Sequence, residues 1–182
     1  MPRTTTREIA YAGFFTALMA VGAYVSIPLG SVPFTLQVLV VLLGAMVLGP
    51  RLALFSVVAY LCLGLVAPVY HGGASGLGVL FGPTGGYLWG FLLAAIVTGW
   101  IARSGRPSLA RFVVAGLAGL CPIYVLGALW LALQLNIDLR TAFVAGVAPF
   151  IWIDALKAIV AGFAARSLVT LPLDLPALQR DH

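Results

Sequence analysis

The chain has 182 residues, of which 62% are hydrophobic and only 8% are charged, and its mean hydropathy is +1.11. Soluble domains are about 45–50% apolar and about 25% charged, so this composition excludes an ordinary water-soluble protein and indicates an integral membrane protein. The net charge of +5 does not indicate a nucleic-acid partner, because the basic residues stand singly between apolar segments, as a positive-inside bias produces.

Six apolar segments follow one another along the chain. A helix that spans a bilayer needs about 20 residues, so we predict an all-α membrane protein: one domain, residues 1–182, forming a bundle of six transmembrane helices. The second segment is short, and the Gly/Pro-rich start of the fourth predicts that its regular helix begins near Tyr87. The approximate segments are 9–29, 34–48, 52–69, 77–101, 112–135 and 141–169.

The arginines predict how this bundle is oriented. With six spans, eight arginines fall on one side and only Arg140 on the other, which places both termini in the cytoplasm. The outer loops are then residues 28–33, 70–86 and 136–140. The eight arginines on the inner side are Arg3, Arg7, Arg51, Arg103, Arg106, Arg111, Arg166 and Arg180.

The second outer loop is long and almost uncharged; residues 69–90 read VYHGGASGLGVLFGPTGGYLWG. Its glycines allow sharp bends and close approach of the backbone to a ligand. One interpretation is a flexible extracellular linker. Such linkers are usually polar, whereas this segment carries several large apolar side chains, which favours a lid or wall over a ligand pocket.

An acid and a base lie one helical turn apart in the last segment, within PFIWIDALKAIVAG (residues 149–162). An ionised group in hydrocarbon costs several kcal/mol, so Asp154 and Lys157, the only lysine of the chain, need a partner or a task. Their spacing places them on one face of a helix, about 4.5 Å apart along its axis. Either they neutralise each other inside the bundle, or they point into a cavity and hold a polar ligand. The otherwise uncharged helices favour the ligand.

Enzyme chemistry finds little support in the residues. Residues 73–76 read GASG, as in intramembrane serine proteases, but that chemistry needs a histidine placed to take the proton of the serine. The histidines are His71, in the same loop, and His182, the last residue. The chain has no P-loop, since its lysine follows Asp-Ala-Leu, and no His, Cys or acidic cluster with metal-ligand spacing. We therefore predict no catalytic site, metal site or cofactor in this chain.

Three motifs together resemble the BioY family, the biotin-binding S components of energy-coupling factor (ECF) vitamin transporters. They are SVPFTLQ at the start of the second segment, GPTGGYLWGF in the fourth and Asp-x-x-Lys in the sixth. The resemblance covers nearly the whole chain and implies high-affinity capture of biotin at the outer face of a prokaryotic cell membrane. It also implies three partner subunits, namely a transmembrane coupling subunit and two ABC-type ATPases, which would use the ATP that this chain cannot bind through a P-loop.

The resemblance implies a set of substrate contacts. Asp154 would accept from a ureido N–H of biotin, and Lys157 would either pair with the tail carboxylate or donate to the ureido oxygen. Thr35, Gln37 and Tyr87 lie in the matching motifs, and we expect them to complete the site. Family members often carry a polar side chain such as asparagine before GPTGG; here Ser75 replaces that contact or the contact is missing. Two alternatives remain open: an S component for another small vitamin, or a membrane protein of another class in which the acid–lysine pair is structural.

Helix 1 carries a pair of small residues four positions apart, Gly13 and Ala17, which lets another helix approach closely. S components resemble one another in using an Ala-x-x-x-Ala face on this helix to dock the coupling subunit. We therefore expect Gly13 and Ala17 to form a docking face, with ordinary packing inside the bundle as the alternative.

Overall fold

The computed structural model describes residues 6–171, so Arg3 and Arg180, which contribute to the predicted orientation, lie outside the described residues. Within this range the chain forms eight α-helices, one short 3₁₀ turn and one antiparallel pair of strands. The elements are α1 (Thr6–Tyr24), β1 (Ser26–Leu29), β2 (Val32–Thr35), α2 (Gln37–Leu48), α3 (Pro50–Val66), α4 (Leu77–Leu80), α5 (Gly85–Arg103), α6 (Leu109–Leu135), α7 (Leu139–Gly146) and α8 (Ile151–Leu168).

Three helical segments of the described chain are long and apolar enough to cross a membrane: Pro50–Gly73, Gly85–Arg103 and Leu109–Leu135. A fourth is added if α7 and α8 form one bent span. The 12 residues of α2 rise only about 18 Å, less than the roughly 30 Å of a hydrocarbon core. The structure thus confirms a helical protein with several apolar spans, and the count of six stays a prediction.

The first helix ends earlier than the sequence predicts. The first apolar segment was predicted to be helical as far as the outer loop 28–33, but α1 ends at Tyr24 and residues 26–29 pair with β2 as a hairpin. The register places Ser26 opposite Thr35 and Pro28 opposite Pro33. Proline cannot donate to a helical hydrogen bond, so this proline-containing stretch leaves the helix. The hairpin is fastened to α1 by the backbone N–H of Leu36, which donates to the carbonyl of Gly22 at 3.0 Å.

The last predicted segment, residues 141–169, is also divided. α7 and α8 are separate helices whose axes differ by 53°. Pro149 lies in the break, where it has no backbone N–H to continue a helix. The start of α7 is capped by Asp138, whose side chain accepts from the backbone N–H of Thr141 at 3.0 Å.

Glycines let α5 and α6 pack closely at the end of α5 that carries the GPTGGYLWGF motif. A Cβ on Gly86 would collide with Trp130 and with the carbonyl of Leu126. In the same way, a Cβ on Gly127 of α6 would collide with the ring of Tyr87. The motif therefore needs glycine for helix packing, and this packing places Tyr87 in the interior, where it is only 9% exposed.

The segment between α3 and α5 is fastened to the helices rather than extended from them. Tyr70 is fully buried and donates to the carbonyl of Leu61 at 2.7 Å. The backbone N–H of Gly76 donates to the carbonyl of Gly64 at 2.7 Å, and the indole of Trp130 donates to the carbonyl of Gly82 at 2.9 Å. These bonds favour a wall of the bundle over a flexible linker.

Candidate functional site

Asp154 and Lys157 lie on the inward face of α8 and form an ion pair. The Nζ of Lys157 is 2.6 Å from Oδ1 of Asp154, and the two residues are only 6% and 4% exposed. The tyrosine hydroxyl of Tyr124 on α6 donates to Oδ2 of Asp154 at 2.8 Å. The prediction that the acid and the lysine share one helical face is confirmed, and each carboxylate oxygen already accepts one hydrogen bond.

The hairpin meets α8 at Lys157. The Nζ of Lys157 donates to the backbone carbonyl of Thr35 at 2.7 Å and lies 4.0 Å from the centre of the Phe34 ring. A cation over an aromatic face is stabilised by the negative face of the ring. These contacts hold the ammonium at the junction of the hairpin, α2 and α8. Thr35 and Lys157 are 122 positions apart in the sequence.

A cavity adjoins this ion pair, and the empty space in it, including solvent at its open side, is about 560 Å³. The polar floor is Asp154 and Lys157, and the walls are mostly apolar and include five aromatic rings. The aromatic residues lining it are Phe34, Tyr87, Phe91, Tyr124 and Phe150.

A second cavity lies between the hairpin and the segment that precedes α5, lined by residues such as Ser31 and Gly82. Both cavities are lined by Pro33, His71 and Thr84, which therefore stand where the two cavities adjoin. There the Oγ1 of Thr84 is 3.4 Å from Nε2 of His71.

Five of the six predicted substrate contacts line the inner cavity: Thr35, Gln37, Tyr87, Asp154 and Lys157. The sixth, Ser75, is exposed and lines neither cavity. Thr35 takes part through its backbone carbonyl, which holds Lys157, and Tyr87 donates its hydroxyl to the carbonyl of Gly146 at 2.8 Å, at the end of α7.

The side-chain amide of Gln37 is hydrogen-bonded to a buried tyrosine, Tyr60, which does not line the cavity. Its Nε2 donates to the hydroxyl oxygen of Tyr60 at 2.6 Å, and that hydroxyl donates to the carbonyl of Val69 at 3.0 Å. Gln37 is 3% exposed and Tyr60 is fully buried. A buried amide needs hydrogen-bond partners, and this one has its nitrogen satisfied by the protein.

No group of three or more His, Cys, Asp or Glu side chains between residues 6 and 171 is arranged to hold a metal ion. What the cavity offers is a carboxylate, an ammonium, an amide and aromatic rings. This set suits a small, uncharged or weakly charged heterocycle with both donors and acceptors.

Comparison with known proteins places these features in a family. The model of the family described as BioY matches residues 1–172. The chain belongs to the BioY family. A Thermotoga maritima protein named biotin transporter BioY is 45% identical over 169 residues, covering 92% of this chain and 99% of that protein. A Rhodobacter capsulatus protein of the same name is 41% identical and covers 89% of this chain and 93% of its own length.

A solved structure resembles the whole bundle. It is described as the S-component for biotin from an ECF-type ABC transporter, and it matches with a TM-score of 0.83 and 29% sequence identity. The match covers 91% of this chain and 92% of that one. Together with the apolar helices, these BioY relatives indicate a prokaryotic multi-pass membrane protein, and the family predicted from the three motifs is confirmed.

The BioY motifs occupy the parts of the chain that surround the inner cavity. Reasoning from the sequence did not find that Tyr124, Phe34, Thr84 and His71 line this cavity. Tyr124 stands in an apolar stretch, 30 residues from the acid that it contacts, and no spacing rule links the two. Phe34 lies inside the motif SVPFTLQ, which is the one signal in the sequence that could have pointed to it; only the structure shows its ring beside Lys157.

Proposed function

We propose that this chain is the biotin-binding S component of an ECF-type ABC transporter and captures biotin at the outer face of the membrane. It is a transport protein and not an enzyme. The observation that carries the proposal is the buried Asp154–Lys157 pair on the floor of an aromatic cavity, in a chain of the BioY family.

The groups at the floor match the chemistry of biotin. Its ureido ring has two N–H donors and one carbonyl acceptor. A carboxylate oxygen can accept more than one hydrogen bond, so Asp154 can accept a ureido N–H while keeping Tyr124 and Lys157. Lys157 has three donors, and its bonds to Asp154 and Thr35 leave one for the ureido oxygen or the tail carboxylate. Charge-assisted bonds of this kind are the stronger ones.

We propose that six spans form one domain over residues 1–182, with both termini in the cytoplasm. α1, α3, α5 and α6 would each cross once, α2 would cross together with the hairpin, and α7 with α8 would form a bent sixth span. The segment 70–86 would then lid the cavity from outside. The packing of Tyr70 and the bond from Trp130 to Gly82 support that arrangement.

Cysteine labelling tests this orientation. Ser75 and Ser104 are both exposed and lie at opposite ends of the connected helices. In a variant without Cys62 and Cys121, a membrane-impermeant maleimide should label Ser75→Cys in intact cells and label Ser104→Cys only after lysis. The opposite pattern would reverse the orientation and place the lid on the wrong side.

The proposed partners are a transmembrane coupling subunit and two ABC-type ATPases in the prokaryotic plasma membrane. ATP would be used by those subunits, and this chain would need no cofactor. Gly13 and Ala17 support a docking face on α1, since both are exposed and no atom lies within 4 Å of a Cβ placed on Gly13. Reconstitution in liposomes decides whether the partners are obligatory, because net biotin uptake by the isolated chain would show that they are not.

Equilibrium binding tests the ligand most directly. Purified, folded protein should bind biotin and should not bind thiamine or riboflavin under the same conditions. Binding of another vitamin instead of biotin would keep the transporter class and change the substrate. Absence of binding to all three, in a sample whose thermal unfolding is cooperative, would contradict the proposal.

A further inference from the structure

Tyr60 stands behind the cavity, on α3, and touches the site only through Gln37. It is fully buried, its hydroxyl oxygen accepts from Nε2 of Gln37 at 2.6 Å, and its hydroxyl hydrogen is directed to the carbonyl of Val69 at 3.0 Å. Neither the family motifs nor the residues lining the cavity include Tyr60. Two hydrogen bonds thus join Gln37, Tyr60 and Val69 behind the cavity, and the ligand contacts proposed for the cavity do not account for them.

The direction of these bonds follows from donor and acceptor chemistry. A phenol has one hydrogen to donate, and the carbonyl of Val69 can only accept. The Tyr60 hydroxyl must therefore donate to Val69 and can only accept from Gln37. The Gln37 amide is thereby required to turn its NH₂ group toward Tyr60. If the amide turned over, either its oxygen would meet the lone pairs of the Tyr60 oxygen, or the hydroxyl would turn toward it and leave the carbonyl of Val69 without this donor.

We propose that Tyr60 is a positioning residue that fixes the Gln37 amide with its oxygen toward the cavity, so that the site selects a ligand that presents an N–H donor there. The inference rests on the proposed function, in which the ligand is biotin. Asp154 and Gln37 would then each accept from one ureido N–H, which uses both donors of the ring. A ligand with an acceptor at the same place would meet the fixed oxygen and be rejected.

A neighbouring tyrosine provides a matched control. Tyr70 is also fully buried, its ring packs edge-on against Tyr60 at 5.6 Å, and its hydroxyl donates to the carbonyl of Leu61 at 2.7 Å. Tyr70→Phe therefore removes the same atom from the same part of the core and leaves the contact between Tyr60 and Gln37 in place. Any general loss of packing or stability should affect the two variants alike.

The experiment measures binding of biotin and of its two ureido N-methyl derivatives to wild type, Tyr60→Phe, Tyr70→Phe, Gln37→Met and the Tyr60→Phe/Gln37→Met double variant. For one of the two derivatives, the preference for biotin should fall about fivefold or more in Tyr60→Phe and stay at the wild-type level in Tyr70→Phe. The steric effect of the methyl group is common to all variants and cancels in this ratio. Because Tyr60 acts through Gln37, adding Tyr60→Phe to Gln37→Met should change the preference no further.

The following results would contradict the inference. Equal preference ratios in Tyr60→Phe and Tyr70→Phe would reduce Tyr60 to a packing residue, as would additive effects in the double variant. If Tyr60→Phe does not fold, Gln37→Met alone must still lower the preference, and an unchanged ratio there overturns the inference. Wild-type protein that binds biotin in these cases leaves the proposed function intact, whereas folded wild type that binds no biotin contradicts both.

Discussion

At the floor of the cavity, Asp154 and Lys157 are each held by two hydrogen bonds, whereas the stripe of α1 at Gly13 and Ala17 is exposed. The floor uses polar side chains whose partners outside α8 come from two other elements, β2 and α6. The stripe uses the smallest side chains, which leave the backbone accessible. Under the proposed function, ligand recognition and subunit docking use these two separate places, so substitutions should affect one without the other.

The largest effect is expected at the floor. Asp154→Asn and Lys157→Ala should each lower biotin affinity at least tenfold, which corresponds to about 1.4 kcal/mol, because each removes a charge-assisted contact to the ligand. Equilibrium binding with purified protein measures this.

The double substitution Asp154→Leu/Lys157→Met distinguishes a role of the pair in biotin binding from a purely structural role. It removes both charges together, so it should fold but bind no biotin. If the single substitutions lowered only the thermal stability and left the affinity of the folded fraction unchanged, the pair would be structural and the contrast with α1 would fail.

Docking should fail when the stripe on α1 is filled. Gly13→Leu and Ala17→Leu should reduce the coupling subunit recovered on co-purification on the order of tenfold, because a large side chain prevents close helix approach. Biotin affinity should not change, since a side chain at Gly13 meets nothing in the bundle. Phe14→Leu, at another exposed position of α1, is the control. Normal recovery with both substitutions would remove this stripe as the docking face.

A smaller effect is expected between α5 and α6, away from both regions. The hydroxyl of Thr98 is buried and has no hydrogen-bond partner among the described residues. Thr98→Val replaces it with a methyl group of similar shape and should raise stability by about 1 kcal/mol without changing biotin affinity. Denaturation of wild type and variant in the same detergent provides the comparison. A destabilised variant would mean that the Thr98 hydroxyl makes a hydrogen bond in the folded protein.

The smallest effect concerns the cap of α7. Hydrogen bonds from the side chain and the backbone of Thr141 lower the pKa of the exposed Asp138 below its ordinary value of 3.8. Because the folded state favours the charged form, the stabilisation is present above pH 3.8 and is lost as the pH falls through the lower folded-state value. Asp138→Asn does not titrate. The difference in thermal midpoint between wild type and this variant should therefore shrink in acid, and a constant difference would contradict the role of the charge.

Much of the helical fold was predictable because long apolar runs have few alternatives in a membrane. Asp154 and Lys157 were predictable for the same reason, since ionised groups are rare there and their spacing of three places them on one face. The hairpin was not predictable, because PLGSVPF has two prolines and a glycine and gives no alternation of polar and apolar residues. The contact between Tyr124 and Asp154 depends on how α6 packs on α8, and no local pattern encodes it.

The two prolines of the hairpin limit how its strands can align. Pro28 and Pro33 lie directly opposite each other, and since neither has an N–H, they occupy a rung of the ladder that needs no hydrogen bond between them. Sliding one strand by a single residue would place a proline on a rung that does need one and would turn Phe34 and Thr35 to opposite faces. The Thr35 carbonyl would also move by about 3.3 Å, away from Lys157. The pairing of the two prolines thus sets where the ammonium of Lys157 is held.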